Sequence, residues 1–116
     1  MNKLSGKFDV ELAGKKWVCH LSMNAFRILC EKEYIKFAEM QNFLQEKPLS
    51  AVPKVIFYGI LNNLFLTKQD VDKKLPDFEW FAAVLLDDPG SLEAYTEKIA
   101  IAFGGEAEDK EDSGNK

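Results

Sequence analysis

The sequence predicts a mainly α-helical protein with one β-hairpin near its N-terminal end. Residues 8–21, FDVELAGKKWVCHL, alternate apolar and polar side chains around a Gly-Lys pair, which is typical of two strands and a turn. Apolar residues then recur at helical spacing through most of residues 23–103. With 116 residues, 47% of them hydrophobic, the chain is long enough to bury one core. We therefore expect a single globular domain over residues 1–104, with the hairpin at 7–22 and five or six short helices after it.

The hairpin is predicted to turn at Gly14-Lys15, with glycine at the first central position of a type II′ turn. Counting outward from this turn pairs Leu12 with Trp17, Val10 with Cys19, and Phe8 with Leu21. Directly opposed residues share a face, so these six residues would form one apolar face, and His20 would lie opposite Asp9 on the other. A lone hairpin is only marginally stable in water, so the apolar face needs a cover of helices. Its two edges would remain open to pairing with another chain.

Residues 23–46 contain no Gly or Pro, so the sequence allows one long helix there, but we favour two helices. Ser22 or Asn24 can cap the first helix, because either side chain can accept a hydrogen bond from the first-turn amides. The apolar stripe then continues to Leu44, but Glu33 interrupts it. We expect a bend between Glu33 and Ile35.

The stretch KPLSAVPK, residues 47–54, is predicted to be a loop, because Pro48 and Pro53 disfavour a helix interior. A central helix is expected from Pro53 to Leu66, and it is apolar on nearly all sides, so it should be buried or covered by a partner. Its most apolar stretch is too short to span a bilayer, and the N-terminus lacks the apolar region of a signal peptide. These features favour a cytosolic protein.

Three more helices are expected toward the C-terminal end. Thr67–Asp70 has the form of a capping box that opens a short helix, which Pro76 ends. Asp77 can cap the next helix, and the sequence DDPGS separates it from the last one. The apolar stripe of the last helix falls within residues 92–103, and the Gly-Gly pair at 104–105 would close it.

The negative charge is concentrated at the C-terminal end. Of the 19 acidic and 15 basic residues, five acids and two lysines lie in residues 104–116, GGEAEDKEDSGNK. The other 103 residues therefore hold 14 acids and 13 bases, a net charge of about −1. We expect residues 105–116 to be a disordered acidic tail. Binding to nucleic acid is disfavoured, because it requires a clustered basic excess that neutralises phosphates.

Residue types that form reactive centres are sparse in this sequence. The single histidine, His20, is accounted for by a cross-strand pair with Asp9. Cys19 and Cys30 fit free thiols packed like small hydrophobic residues in a reducing compartment. The sequence has no clustered metal ligands, calcium loop or phosphate-binding glycine loop. We expect a non-enzymatic protein with no catalytic residues, no metal site and no cofactor.

Aromatic residues are the remaining functional signal. Nine Phe, two Trp and three Tyr exceed what one small core easily buries, and surplus apolar surface marks interfaces. The alternative is that the rings simply fill an aromatic-rich core. The hairpin and the apolar helices supply the candidate partner-binding residues: Trp17, Val18, Phe57, Tyr58, Leu61, Phe65, Trp80 and Val84.

From Lys7 to Phe103 the chain resembles the small tail assembly chaperones of long-tailed bacteriophages and prophages. The likeness rests on FDVELAGKKWVCHLSMNAFRILCEKE, a hairpin leading into a helix, on VPKVIFYGILNN, a mid-chain helix of small and aromatic residues, and on LTKQDVDKKL. The resemblance implies a non-enzymatic protein of the bacterial host cytoplasm. It would bind the tape measure protein while subunits of the tail tube protein assemble around that client, and it would tend to form homo-oligomers.

A second hypothesis is a small cytosolic nucleic-acid-binding regulator of phage or mobile-element origin. Its phosphate contacts would be four lysines: Lys15, Lys16, Lys73 and Lys74. The near-neutral body of the chain counts against it.

Overall fold

The computed structural model describes residues 6–102. In this range an antiparallel hairpin, with strands β1 (Lys7–Leu12) and β2 (Lys15–His20), precedes six α-helices. The helices are α1 (Met23–Glu33), α2 (Met40–Glu46), α3 (Pro48–Leu66), α4 (Val71–Lys74), α5 (Phe78–Leu86) and α6 (Pro89–Ala102). The predicted fold class is confirmed. The predicted tail at 105–116 and the glycine pair that would close the last helix lie outside the described residues.

The hairpin turns at Ala13 and Gly14, so the predicted turn at Gly14-Lys15 is wrong. Ala13 and Gly14 both have positive φ, 52° and 79°, as a type I′ turn requires. The register therefore pairs Leu12 with Lys15, Val10 with Trp17, and Phe8 with Cys19. Each partner is shifted by two residues from the prediction, and a shift of two preserves the alternation of faces. The apolar face therefore keeps its predicted members on both strands.

The polar face of the hairpin has different pairs from those predicted. His20 lies opposite Lys7, and Asp9 lies opposite Val18. Burial and the charge of Lys7 lower the pKa of His20 below its ordinary value. The predicted pairing of His20 with Asp9 is therefore wrong. The Asp9 carboxylate instead lies 3.9 Å from the ammonium of Lys16.

Helix α3 is the centre of the fold and packs against β2, α1, α5 and α6. The hairpin crosses α3 at Gly59, where an added Cβ would lie 2.3 Å from the sulfur of Cys19 and 2.8 Å from a methyl group of Leu21. The thiol of Cys19 also donates a hydrogen bond to the carbonyl of Ile56 at 3.5 Å. This close approach requires glycine at position 59, because any side chain would push the hairpin away.

Helix α3 begins five residues before its predicted start, so the predicted loop KPLSAVPK is wrong from Pro48 onward. Pro48 occupies the first turn, where its missing N–H is no loss. Pro53 lies inside the helix and leaves the carbonyl of Leu49 without its helical donor. Leu49 is 62% exposed, so this end of the helix is open to water, while Pro53 itself is buried in the core.

Because α3 is longer than predicted, its ability to span a membrane has to be judged again. Among the described residues, α3 is one helix that is long and apolar enough to span a bilayer by length and composition, so the prediction that it is too short is wrong. However, 67% of its most apolar window is buried inside the protein, as expected for a core helix.

The predicted pair of helices after the hairpin is confirmed. Helix α1 ends at Glu33, and Tyr34 takes the left-handed conformation with φ of 57°. A 3₁₀ turn at Phe37–Glu39 then leads into α2. Ser22, one of the two predicted caps, occupies the N-cap position of α1, but its hydroxyl accepts a hydrogen bond from the Asn62 side chain at 3.0 Å.

The caps of the shorter helices match the sequence only in part. The carboxylate of Asp70 accepts a hydrogen bond from the N–H of Asp72 and caps α4. The capping box predicted to start at Thr67 is wrong, because Thr67 closes α3 and its hydroxyl donates to the carbonyl of Asn63 at 2.7 Å. Asp77 caps α5 as predicted, with a carboxylate–amide distance of 3.1 Å.

Helices meet both edges of the hairpin. Beside β1, the ring of Tyr95 stacks on Phe8 with centroids 6.2 Å apart, and its hydroxyl approaches the backbone of Glu11. Beside β2, the side-chain amide of Asn62 donates to the carbonyl of His20 at 2.9 Å. The edges that were expected to be open are therefore partly covered, and less strand is free to pair with another chain.

Candidate functional site

The eight predicted partner-binding residues divide between the interior and the surface. Three are only 6–9% exposed: Trp17, Phe57 and Leu61. Two are 52% and 41% exposed: Phe65 and Trp80. Three are partly exposed: Val18, Tyr58 and Val84. The surplus of apolar side chains is thus shared between a buried core and the surface beside it.

A series of ring contacts connects the hairpin to α5. Trp17 meets Trp80 and Phe81 edge-on, with centroid distances of 6.1 and 6.4 Å. Phe57 lies 5.7 Å from Phe81 and 5.2 Å from Phe78. Edge-on and tilted arrangements are the favourable ones for such pairs. Phe81 is fully buried, whereas Trp80 and Phe78 bring the two ends of the cluster to the surface.

One end of this cluster opens into a groove between α3 and α5, which we call the α3–α5 groove. Its volume is about 560 Å³, within the usual range for binding sites. Its apolar lining comprises Leu49, Phe57, Tyr58, Phe78 and Ala82. Its polar rim comprises Glu33, Ser50, Lys54 and Glu79. An apolar floor with a few polar groups at its border is typical of a surface that binds a partner.

A polar network at the rim of the α3–α5 groove joins α1 to α3. One carboxylate oxygen of Glu33 accepts a hydrogen bond from the ammonium of Lys54, and the other accepts one from the hydroxyl of Tyr58 at 2.7 Å. Burial alone would raise the pKa of Glu33, but the hydrogen bonds from Lys54 and Tyr58, together with the charge of Lys54, lower it below its ordinary value. Burial and the nearby carboxylate raise the pKa of Tyr58. Glu33 therefore stays ionised and Tyr58 stays protonated, so the three groups satisfy one another.

The hairpin end of the aromatic cluster borders a second groove, of about 260 Å³, between β2, α3 and α4. We call it the lysine groove, and its polar or aromatic lining comprises Lys15, Lys16, Trp17, Asn63, Gln69 and Lys74. The ammonium of Lys15 lies 5.6 Å from the ring centroid of Trp17, whose indole N–H donates to the carbonyl of Lys74 at 3.3 Å. None of the described residues that line this groove is acidic. The fold thus brings together lysines that are far apart in the sequence.

Two buried asparagines in α3 were not among the predicted site residues. The amide of Asn62 donates to the carbonyl of His20 and to the hydroxyl of Ser22, and its oxygen accepts from Asn24 at 2.8 Å. Asn63 is only 7% exposed and lines the lysine groove, and within residues 6–102 its side-chain amide forms no hydrogen bond. Adjacent asparagines in an otherwise apolar helix are a visible sequence signal, but the sequence does not show their partners.

The cysteines and the histidine do not combine into a reactive group. Cys19 and Cys30 are free thiols, and burial raises the pKa of both, which disfavours the reactive thiolate. Within the described range, no three potential metal ligands come together.

Comparisons of the chain with protein-family models, with curated proteins and with solved structures gave no match.

Proposed function

We propose that the protein is a tail assembly chaperone of a bacteriophage or prophage, which binds a helical segment of the tape measure protein and keeps that client soluble during tail assembly. The resemblance of residues 7–103 to this family supports the proposal. The observation that carries it is the α3–α5 groove, an open surface on which the apolar side chains of Leu49, Phe78 and Ala82 lie beside a polar rim.

The α3–α5 groove has the chemistry that an amphipathic helix requires. Phe57 and Phe78 contribute packed aromatic rings to its apolar lining, and Leu49 at its border is 62% exposed. Ala82 contributes only a methyl group, so the backbone of a bound helix can approach α5 closely. Helices bind in such grooves through apolar side chains spaced three and four residues apart. Each 100 Å² of apolar surface that the client covers would contribute about 2.5 kcal/mol before the entropic cost of binding.

Co-expression with the tape measure protein of the same genome tests the proposal. We expect the client to stay soluble and to co-purify with the wild-type protein. Ala82→Arg would place a long charged side chain in the groove and should reduce co-purification at least about tenfold, a loss of about 1.4 kcal/mol in binding. Ala83→Arg is the matched control, because Ala83 is the exposed neighbour on the same helix and does not line the groove.

Two results would contradict parts of this proposal separately. If the client is soluble alone and does not co-purify with the wild-type protein, the chaperone function is wrong. If the client co-purifies equally with both arginine variants, the function stands but the α3–α5 groove is not its binding site.

The second candidate remains a nucleic-acid-binding regulator, and the lysine groove is the observation that favours it. Lys15, Lys16 and Lys74 line this groove together, whereas Lys73 is exposed on α4 outside its lining. A mobility shift with duplex DNA, weakening steeply as salt is raised, would support phosphate contacts. We place it second because the charge of residues 1–103 is close to neutral.

A further inference from the structure

The α3–α5 groove carries an unbalanced negative charge. Among the described residues that line it, the carboxylates are Glu33 and Glu79, and the one ammonium is that of Lys54. The ammonium of Lys54 donates to Glu33, so these two charges offset each other. The side chain of Glu79 is exposed and forms neither an ion pair nor a hydrogen bond within residues 6–102. The lining therefore presents one uncompensated negative charge.

Glu79 lies beside the apolar part of the groove. It precedes Ala82 by three positions in α5, so the two residues lie on one side of the helix. Phe78 and Ala82 are four positions apart, and both line the groove. A helix that rests its apolar stripe on these two residues would bring its flanking side chains next to Glu79. The charge of those flanking residues should therefore affect binding.

One residue of the groove also has a backbone acceptor without its usual donor. Pro53 has no N–H, so the carbonyl of Leu49 lacks the hydrogen bond that α3 would otherwise supply. Leu49 lines the groove and is exposed. By contrast, the ammonium of Lys54 and the hydroxyl of Tyr58 already donate to Glu33. A partner that brings hydrogen-bond donors therefore suits this rim better than one that brings acceptors.

We propose that the α3–α5 groove selects a basic amphipathic helix, in which lysine or arginine residues flank the apolar stripe. The apolar side chains of the partner cover Phe78 and Ala82, and one of its cations pairs with the carboxylate of Glu79. Lysine and arginine side chains carry donors and no acceptors, as the rim requires. This selectivity rests on the proposed function, because it adds a charge preference to the surface that binds the client helix.

Two synthetic helical peptides measure the selectivity without the tape measure protein. They share one leucine stripe and differ only in the residues that flank it, which are lysine in one peptide and glutamate in the other. Fluorescence anisotropy of the labelled peptides is followed as the wild-type protein is added at low salt. The lysine peptide should bind at least about threefold more tightly, a ratio typical of an exposed ion pair. This ratio should fall as salt is raised to about 0.5 M.

Matched variants separate the charge of Glu79 from the negative charge of the whole chain. Glu79→Gln should lower the binding ratio of the two peptides at least about twofold more than Glu93→Gln does. Glu93 is exposed on α6 and lies outside the lining, so its substitution removes the same charge elsewhere. Ala82→Arg should weaken the binding of both peptides, whereas Ala83→Arg should leave it unchanged.

Three results would overturn the inference. The first is a wild-type protein that binds neither peptide or binds both equally. The second is an equal effect of Glu79→Gln and Glu93→Gln, which would leave Glu79 only the role of an acid in the first turn of α5, where negative charge stabilises a helix. The third is self-association of the wild type that Ala82→Arg abolishes, which would assign the groove to a second copy.

The peptide titration and the co-expression experiment can fail separately. A tape measure protein that does not co-purify would reject the chaperone function, and a preference for the lysine peptide would still hold. Co-purification of the client together with equal binding of the two peptides would support the function and reject the selectivity.

Discussion

Helix α3 makes two very different contacts on its two sides. On the hairpin side, Gly59 lets Cys19 and Leu21 lie directly on the helix backbone, and Asn62 ties the helix to the end of β2. On the α5 side, the ring of Phe57 packs against Phe78 and Phe81, and a groove of about 560 Å³ stays open beside these rings. A helix that is apolar all round therefore need not be covered all round by its own chain.

The largest effect is expected from Trp17→Ala on the hairpin side. Trp17 is 8% exposed and packs against the rings of Phe81 and Trp80. Its loss should lower the free energy of unfolding by about 3–5 kcal/mol, measured by chemical denaturation. Trp80→Ala is the matched control and should cost less, because Trp80 is 41% exposed. An unchanged unfolding midpoint for Trp17→Ala would contradict the closed hairpin contact.

Gly59→Ala tests the closed contact with a single methyl group. The added carbon would overlap the sulfur of Cys19 and a methyl group of Leu21, at a cost of about 1–3 kcal/mol. This cost exceeds the roughly 0.5–1 kcal/mol that alanine gains over glycine in helix propensity. We therefore expect a net loss in thermal stability. Gly90→Ala in α6 has only Asp88 nearby, at 3.5 Å, and should be neutral or slightly stabilising. Equal melting temperatures for the two variants would show that the hairpin adjusts freely.

Glu33→Gln probes the polar rim of the open side. At pH 7 the change removes the charge that Lys54 and Tyr58 stabilise, and we expect a loss of about 1–2 kcal/mol in unfolding free energy. Because folding lowers the pKa of Glu33, this contribution is complete above the unfolded pKa of about 4.3 and is lost as pH falls through the folded pKa. The variant and the wild type should therefore converge in strongly acidic solution. Glu31→Gln is the control and should have little effect, because its pair with Arg27 is exposed.

The smallest effect is expected from Lys7→Gln, a substitution that tests the register on the solvent face of the hairpin. Lys7 lies opposite His20, and its charge contributes to the lowered pKa of that imidazole. Lys7→Gln should raise the pKa of His20 in a titration followed by nuclear magnetic resonance, with stability changed by less than about 0.5 kcal/mol. Asp9→Asn should perturb His20 less, because Asp9 lies opposite Val18. A larger change in the pKa of His20 for Asp9→Asn than for Lys7→Gln would contradict the observed register and support the one predicted from a turn at Gly14-Lys15.

The candidate site could be predicted from the sequence only in its parts. Phe57 and Tyr58 were recognisable as excess aromatic residues, and both line the α3–α5 groove. Glu33, which accepts hydrogen bonds from Lys54 and Tyr58, was seen only as a break in an apolar stripe, because it lies 21 positions from Lys54 and 25 from Tyr58. A pairing over such a separation depends on how α1 packs on α3, which no local pattern encodes.

Predictions from local sequence also failed where packing competes with a backbone preference. The turn at Ala13 and Gly14 places a non-glycine residue at positive φ, which the sequence favours less than the predicted turn. Its type I′ geometry matches the twist of the paired strands. Likewise Pro53, which normally weakens a helix interior, is held in α3 because it is buried in the core. Packing around these residues outweighs a local preference.

The sequence by itself determined the helical fold class, the apolar face of the hairpin and the break after Glu33, because these depend on periodicity and on the nearest residues along the chain. Only the tertiary structure decided the hairpin register, the start of α3 at Pro48 and the two grooves beside it. These features depend on which side chains from distant segments fit together at contact distance, as where Gly59 lets Cys19 and Leu21 lie against α3.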